Sequence, residues 1–165
     1  MASIEKFIDH INTGYTTKGD NIILGGAIFN GEALPDAPIK VPLKTLNRHG
    51  LIAGATGTGK TKTLQVLSEQ LSNFGIPVLL MDIKGDLSGI AQPGIEQPFI
   101  TERHAKINLP YQTAGFPVEL MTLSDQDGVR LRATVSEFGP VLFSRILGLN
   151  DTQAGVVAVI FKYCD

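Results

Sequence analysis

The chain has 165 residues, with 14 basic and 16 acidic side chains and a net charge of −2. It is 43% hydrophobic and 18% charged, which excludes a disordered chain and is typical of a folded globular domain. The charge balance gives no strong basic field that would by itself indicate nucleic-acid binding, and a single cysteine excludes an intramolecular disulfide. The first eleven residues do not form a signal-peptide pattern and no apolar run is long enough to span a membrane, so we expect a cytoplasmic protein without membrane contact.

Residues 1–46 are predicted to form an N-terminal helix and a small β-rich lead-in. Ser3 can cap the helix, and the apolar side chains that follow recur on one side of it: Ile4, Phe7, Ile8 and Ile11. We expect the lead-in to pack against a second domain that comprises residues 47–165.

A β-hairpin is predicted within this lead-in. Asn30-Gly31 lies between apolar runs and is the strongest short-range hairpin signal, and residues 22–29 form the first strand. Because proline has no N–H group for a β-ladder, Pro35 and Pro38 predict an interrupted return strand, with a separate short strand at 39–41.

The segment Gly54-Ala55-Thr56-Gly57-Thr58-Gly59-Lys60-Thr61 matches the pattern G-x-x-x-x-G-K-[ST] at every fixed position. Glycines let the main chain approach an anion closely, so that successive N–H groups can point towards it. In this pattern the lysine, here Lys60, contacts the β- and γ-phosphates of a nucleotide. The hydroxyl of the last residue, here Thr61, binds a Mg²⁺ ion. A buried strand is predicted at 51–53, and a helix that ends at Gly75 is predicted after the loop. This order favours phosphate binding over a plain glycine-rich turn.

The candidate nucleotide-binding residues are those of the loop and the start of its helix, with Lys60 also the candidate catalytic residue. They are Gly54, Ala55, Thr56, Gly57, Thr58, Gly59, Lys60, Thr61 and Lys62.

A second buried strand is predicted at 76–82, where a continuous apolar run ends in Asp82. Carboxyl ends of parallel strands carry the chemistry of α/β sheets, so Asp82 is a candidate Mg²⁺ ligand beside Thr61. Spacing alone supports equally well a role for Asp82 as the cap of a turn. Lys84 and Asp86 are predicted to be solvated turn residues.

The last third of the chain is predicted to contain a hairpin and two helices. An apolar strand at 118–123 precedes an alternating strand at 129–135, whose two arginines could contact phosphate but are more typical of a solvated face. A helix around Pro140 and a final helix capped by Asp151 or Thr152 follow. The final helix is apolar on nearly all sides, which leads us to expect that the domain continues beyond this chain.

Hydrolysis of a nucleotide needs a carboxylate that holds Mg²⁺ and a group that orients water, in addition to phosphate binding. Asp82 is followed by Ile83 and not by glutamate, and no other apolar run ends in Asp-Glu. Whether this chain is itself an ATPase therefore stays open.

The phosphate loop, the strand that ends at Asp82 and the turn Asp82-Ile83-Lys84-Gly85-Asp86 together resemble the HerA–FtsK group of ATP-driven translocases, in which a D-x-K-G-[DE] turn follows this strand. The segments Asn47–Gly50, Val135–Pro140 and Leu149–Gln153 further resemble the bacterial HerA-like proteins of the YjgR type.

This resemblance implies a P-loop NTPase with a RecA-like α/β core and a mostly parallel sheet, which would be incomplete here, with the hairpin at 118–135 as an insertion. It implies ATP or ADP and Mg²⁺ as ligands, DNA as a possible partner and a homo-hexameric ring in the full-length protein. Family members are longer, and their Walker B Asp-Glu, arginine finger and glutamine sensor come later and match no position here. Because the Walker B pair comes later in the family, the resemblance implies that Asp82 is an accessory group at the metal. The alternative is a nucleotide-binding interaction module or an inert fragment without turnover.

Overall fold

The structure is a computed structural model that describes residues 3–164, and its secondary structure is mixed α/β. The chain divides into two compact units after Val118, and the predicted domain boundary after residue 46 falls within the first unit. The first unit contains α1 (Ile4–Gly14), β1 (Asn21–Phe29), β2 (Glu32–Pro42), α2 (Lys60–Asn73) and α3 (Pro98–Lys106). The second contains β3 (Met121–Thr122), β4 (Val129–Arg130), α4 (Val135–Ile146) and α5 (Asp151–Cys164).

The predicted N-terminal helix and β-hairpin both form, and helix α1 packs on one face of the hairpin of β1 and β2. Ser3 caps the helix, because its hydroxyl accepts the N–H of Lys6 at 3.3 Å. A small buried cluster from the two strands lies at the centre of this contact: Ala27, Leu34 and Ala37. The apolar side of α1, together with Phe29 and Ile39, packs on that cluster, so the helix and hairpin share one core.

The hairpin turns at Asn30 and Gly31, which both have positive φ angles of 51° and 86°. Two such residues match the right-handed twist of the flanking strands, so the predicted hairpin is confirmed. The predicted interruption of the return strand is wrong, because β2 runs without a break through both prolines. The register of the ladder between β1 and β2 instead shifts between Gly26 and Ile28. Pro35 therefore has no partner in this register, and its lack of an N–H group removes no hydrogen bond from the ladder.

Helix α2 ends as the sequence predicts. Gly75 adopts φ 71°, its N–H bonds the carbonyl of Ser72, and the next N–H, of Ile76, bonds the carbonyl of Leu71 at 3.0 Å. These two bonds form a Schellman motif, which satisfies carbonyls that the end of a helix would leave unpaired.

The two predicted buried strands at 51–53 and 76–82 are wrong for this structure. Neither segment belongs to a β-ladder, and Leu51, Leu79 and Met81 are 89%, 80% and 88% exposed. A parallel strand is stable only beside a partner strand, and no segment within 3–164 pairs with either run. The sheets in this part of the chain are two pairs, β1 with β2 and β3 with β4.

The predicted hairpin at 118–135 is also wrong, because β3 and β4 pair in parallel and β4 ends at Arg130. Gly128, the residue before β4, lies close to the main chain of Leu120, the residue before β3. A Cβ atom on this residue would lie 2.8 Å from the carbonyl oxygen of Leu120, and its φ is 142°. A side chain at this position would therefore block the parallel pairing.

Capping boxes begin both helices of the second unit. Thr134 and Glu137 bond each other's main-chain N–H groups before α4, and Asn150 and Gln153 do the same before α5. Asn150 caps α5, so the predicted cap at Asp151 or Thr152 is one or two residues too late. The rings of Phe143 and Phe161, 5.8 Å apart, join the two helices.

Within residues 3–164, no helix combines the length and the apolarity that crossing a bilayer requires.

Candidate phosphate-binding site

The glycine loop lies directly before α2, so its last residues form the first turn of the helix. Gly57 and Gly59 have φ angles of 81° and 94°, a left-handed conformation that other residues rarely adopt. Gly59 is the residue that precedes the helix, and no side chain caps the first turn. The main-chain N–H groups at the start of α2 are therefore left for another acceptor, and the helix dipole makes that position favourable for an anion.

The loop is drawn tight around the carbonyl oxygen of Ala55. This oxygen accepts the hydroxyl of Thr58 and the ammonium of Lys60, each at 2.8 Å. A Cβ atom on Gly54 would collide with the Thr58 hydroxyl, so a larger residue there would force that hydroxyl to move. Lys60 thus lies across the loop, held by one acceptor from which its ammonium can turn to a phosphate.

The Thr61 hydroxyl faces a carboxylate, but that carboxylate belongs to Asp86. The Thr61 Oγ1 and Asp86 Oδ2 atoms are 3.4 Å apart. Sequence reasoning placed Asp86 in a solvated turn and missed this contact. The one signal that could have found it is the acidic last position of the D-x-K-G-[DE] turn.

Asp82 holds the turn that brings Asp86 to this place. Its Oδ1 accepts N–H groups from Lys84, Gly85 and Asp86 at 2.7–3.2 Å, and its Oδ2 accepts the N–H of Leu87 at 2.9 Å. These bonds, led by the one from Leu87, lower the pKa of the Asp82 carboxyl below its ordinary value. The carboxylate is thus directed into its own turn. The predicted contact of Asp82 with a metal is not tested by this geometry and stays a prediction.

Gln65 fastens the same turn to α2 from the other side. Its side chain is 8% exposed, and its Nε2 donates to the main-chain carbonyl of Asp86 at 3.1 Å. Its Oε1 accepts the ammonium of Lys62 at 2.9 Å, so that ammonium points towards Gln65. Lys62 also lies near Glu69, whose pKa is raised by burial and lowered to a lesser extent by the Lys62 charge.

The residues brought together here suit a phosphate with its cation. Uncapped N–H groups and the Lys60 ammonium are donors for phosphate oxygens, and a hydroxyl beside a carboxylate supplies the oxygen ligands that Mg²⁺ prefers. Two charged residues of the second unit, Glu137 and Arg130, have their partners within that unit. Glu137 caps α4 through Thr134, and Arg130 pairs with Asp125 at 3.5 Å.

A glycine loop at the uncapped start of a helix is typical of phosphate-binding proteins, and comparison with known proteins identifies the family. Residues 29–165 match the family described as Helicase HerA-like C-terminal, so the chain belongs to this family. The predicted resemblance to HerA-like proteins is confirmed.

Two curated relatives share part of this chain, and both are named DNA double-strand break repair helicase HerA. The protein from Sulfolobus acidocaldarius is 31% identical over 72 residues, which is 42% of this chain and 14% of the relative. The protein from Saccharolobus solfataricus is 40% identical over 48 residues, which is 29% of this chain and 10% of the relative. The chain therefore spans a small part of the relatives it matches. No solved structure matches it.

Proposed function

We propose that residues 54–62 bind the phosphates of ATP or ADP, and that the chain is part of a HerA-type ATPase. The observation that carries this proposal is the glycine loop at the uncapped start of α2, with the Lys60 ammonium across it and the Thr61 hydroxyl beside a carboxylate. A glycine-rich turn without a ligand would not need all three features at one helix end.

Each residue of the loop has a role in this proposal. Main-chain N–H groups from Gly57 to Thr61 surround the phosphates, and Lys60 leaves the Ala55 carbonyl to neutralise the β- and γ-phosphates. Thr61 binds Mg²⁺, with Asp82 or Asp86 as the nearby acidic group. When bound, Mg²⁺ neutralises charge on the phosphate oxygens. The chain's own residues bind and orient the nucleotide.

We further propose that residues 47–165 form part of a P-loop domain with a RecA-like sheet, and that residues 1–46 are a lead-in to it. Family membership supports this proposal, because residues 29–165 match the HerA-like C-terminal family.

The names of the two relatives support the proposal that the full-length protein acts on DNA. The hexameric ring that we expect from the family resemblance is part of the same proposal. The net charge of −2 gives this chain no general attraction for DNA. We therefore propose DNA as a partner of the complete assembly. The alternative is nucleotide binding without turnover, and it is favoured for this chain by the absence of an Asp-Glu pair at the end of any apolar run.

Equilibrium dialysis of ATP against the chain tests the proposed site. Replacing Lys60 with alanine removes one charged partner of the phosphates, so we expect affinity to fall about 10–100-fold. Lys18→Ala is the matched control, because Lys18 is an exposed lysine in the loop after α1 and should leave binding unchanged. Equal affinity in Lys60→Ala and the unmodified chain would overturn the proposal, as would the absence of ATP binding by the unmodified chain.

Phosphate release distinguishes the two forms of the proposal. An ATPase in this chain would release phosphate from Mg-ATP faster than Lys60→Ala does. Binding without release in both proteins would favour the nucleotide-binding module.

A further inference from the structure

We infer that, of the two aspartates of the turn after residue 81, Asp86 and not Asp82 faces the Mg²⁺ ion of the bound nucleotide, an inference that rests on the proposed function. Thr61 and Asp86 are 25 positions apart in sequence, and the contact between their side chains is created by the fold. The inference adds to the site an acidic residue that the motif G-x-x-x-x-G-K-[ST] does not contain.

The separation of the two oxygen atoms supports a shared cation. Mg²⁺ binds six oxygen ligands in an octahedron at about 2.1 Å, so adjacent ligands lie about 3 Å apart. The Thr61 Oγ1 and Asp86 Oδ2 atoms are 3.4 Å apart, which requires a closure of only a few tenths of an ångström. Both side chains can move by this amount, because Asp86 is exposed and Thr61 is half-buried.

Asp82 is committed to a different task. Four main-chain N–H groups, from Lys84 to Leu87, bond its two carboxylate oxygens. Turning Asp82 towards a cation would break several of these bonds and release the turn. The Asp86 carboxylate, in contrast, accepts a hydrogen bond from the side chain of Thr61.

Gln65 is a positioning residue for Asp86. Its buried carboxamide donates to the Asp86 carbonyl, and Lys62 holds the oxygen of that carboxamide. The main chain of Asp86 is therefore fixed to α2, the helix that carries Thr61. Two ligands fixed to one helix keep their separation, which is what a small cation with strict geometry requires.

The charge of Asp86 gives the inference a distinctive signature. Without a cation, a carboxylate beside the phosphate site repels the anionic nucleotide. With Mg²⁺, the same carboxylate binds the ion. Asp86→Asn should therefore weaken binding of Mg-ATP while leaving binding of metal-free ATP unchanged or improved.

The experiment measures ATP affinity of the full chain by equilibrium dialysis, once with Mg²⁺ and once with EDTA. The ratio of the two affinities is the Mg²⁺ enhancement. We expect Asp86→Asn to lower this ratio about 10–100-fold, the range for loss of a residue that supports a bound metal. Asp36→Asn is the matched control, because Asp36 is an exposed aspartate of β2 and should keep the ratio of the unmodified chain.

Three results would overturn the inference. An unchanged ratio in Asp86→Asn would do so while leaving the proposed function intact, and so would a lost ratio in Asp82→Asn with a normal one in Asp86→Asn. Failure of the unmodified chain to bind ATP under either condition would remove the proposed function as well.

A second measurement needs no variant. With Mn²⁺-ATP bound to the unmodified chain, the carboxyl carbon signal of Asp86 should broaden more than that of Asp82 in an NMR spectrum. The reverse order would contradict the inference.

Discussion

The carboxamide of Gln70 bonds both main-chain groups of Ile23. Its Nε2 donates to the Ile23 carbonyl at 2.7 Å, and its Oε1 accepts the Ile23 N–H at 2.8 Å. A side chain of α2 thus takes the place of a neighbouring strand at β1. The helix that begins at the candidate phosphate-binding site is fixed by this contact to the N-terminal hairpin, so the lead-in supports the site.

Gln70→Ala should destabilise the fold, because Ile23 would lose a partner for its N–H and for its carbonyl. We expect the free energy of unfolding to fall by about 1–3 kcal/mol. Urea denaturation followed by circular dichroism measures this change. Gln112→Ala replaces an exposed glutamine and should change stability by less than about 0.5 kcal/mol. Equal stability of the two variants would show that the Gln70 contact does not hold α2.

Gly26→Ala should disturb the packing of β1 against Ile107. A Cβ atom on Gly26 would lie 2.5 Å from the Ile107 Cγ2 atom and 2.9 Å from its Cβ atom. We expect a loss of about 1–3 kcal/mol in the free energy of unfolding, as in other overpacked sites.

Gly25→Ala is the matched control for this prediction, because nothing lies within 4 Å of a Cβ atom there. The two variants change the unfolded chain in the same way, so the difference between them reports the folded state. If Gly25→Ala were the less stable of the two, the contact with Ile107 would not be the cause.

Acid should open the turn that Asp82 holds. The pKa of the folded Asp82 carboxyl lies below its ordinary value, chiefly because the Leu87 N–H bonds it. A lowered pKa means that its stabilising effect is present above the unfolded pKa of about 4 and is lost as the pH falls through the folded pKa.

The amide NMR signal of Gly85, which donates to Asp82 at 2.7 Å, should therefore shift as the pH falls below about 4. Asp82→Asn should abolish that shift. A signal that titrates identically in both proteins would mean that another group controls the turn.

Thr134→Ala should weaken the start of α4, where the Thr134 hydroxyl accepts the Glu137 N–H and the Glu137 carboxylate accepts the Thr134 N–H at 2.7 Å. Loss of such a cap costs about 0.5–2 kcal/mol. Amide hydrogen exchange along α4 should become faster in Thr134→Ala, by the factor that corresponds to this loss of free energy. Thr134→Ser keeps the hydroxyl and should exchange at nearly the original rate, and faster exchange in both variants to the same degree would contradict a role for the hydroxyl.

Local signals account for what the sequence predicts correctly. Ser3 and Gly75 begin and end helices through bonds to residues within a few positions, and Asn30-Gly31 sets a turn through its own φ angles. None of these features depends on distant parts of the chain, so each is readable from a short window of sequence.

The errors about the strands at 51–53 and 76–82 and about the carboxylate beside Thr61 concern contacts between residues that are distant in the sequence. An apolar run such as 76–82 predicts a strand only if a partner strand lies beside it, and the sequence of the run does not state whether one does. The contact of Thr61 with Asp86 likewise depends on how the turn after Asp82 is held. The position of the glycine loop at the start of a helix was readable from the sequence, whereas the contact of Thr61 with Asp86 depends on the folded turn.

Amide NMR signals of the loop give the most direct test of phosphate binding at the start of α2. On addition of Mg-ATP to the full chain, the signals of Gly57, Gly59 and Lys60 should shift and then saturate, while the signal of Gly31 in the hairpin turn should stay in place. Loop signals that do not move at millimolar Mg-ATP would contradict the account.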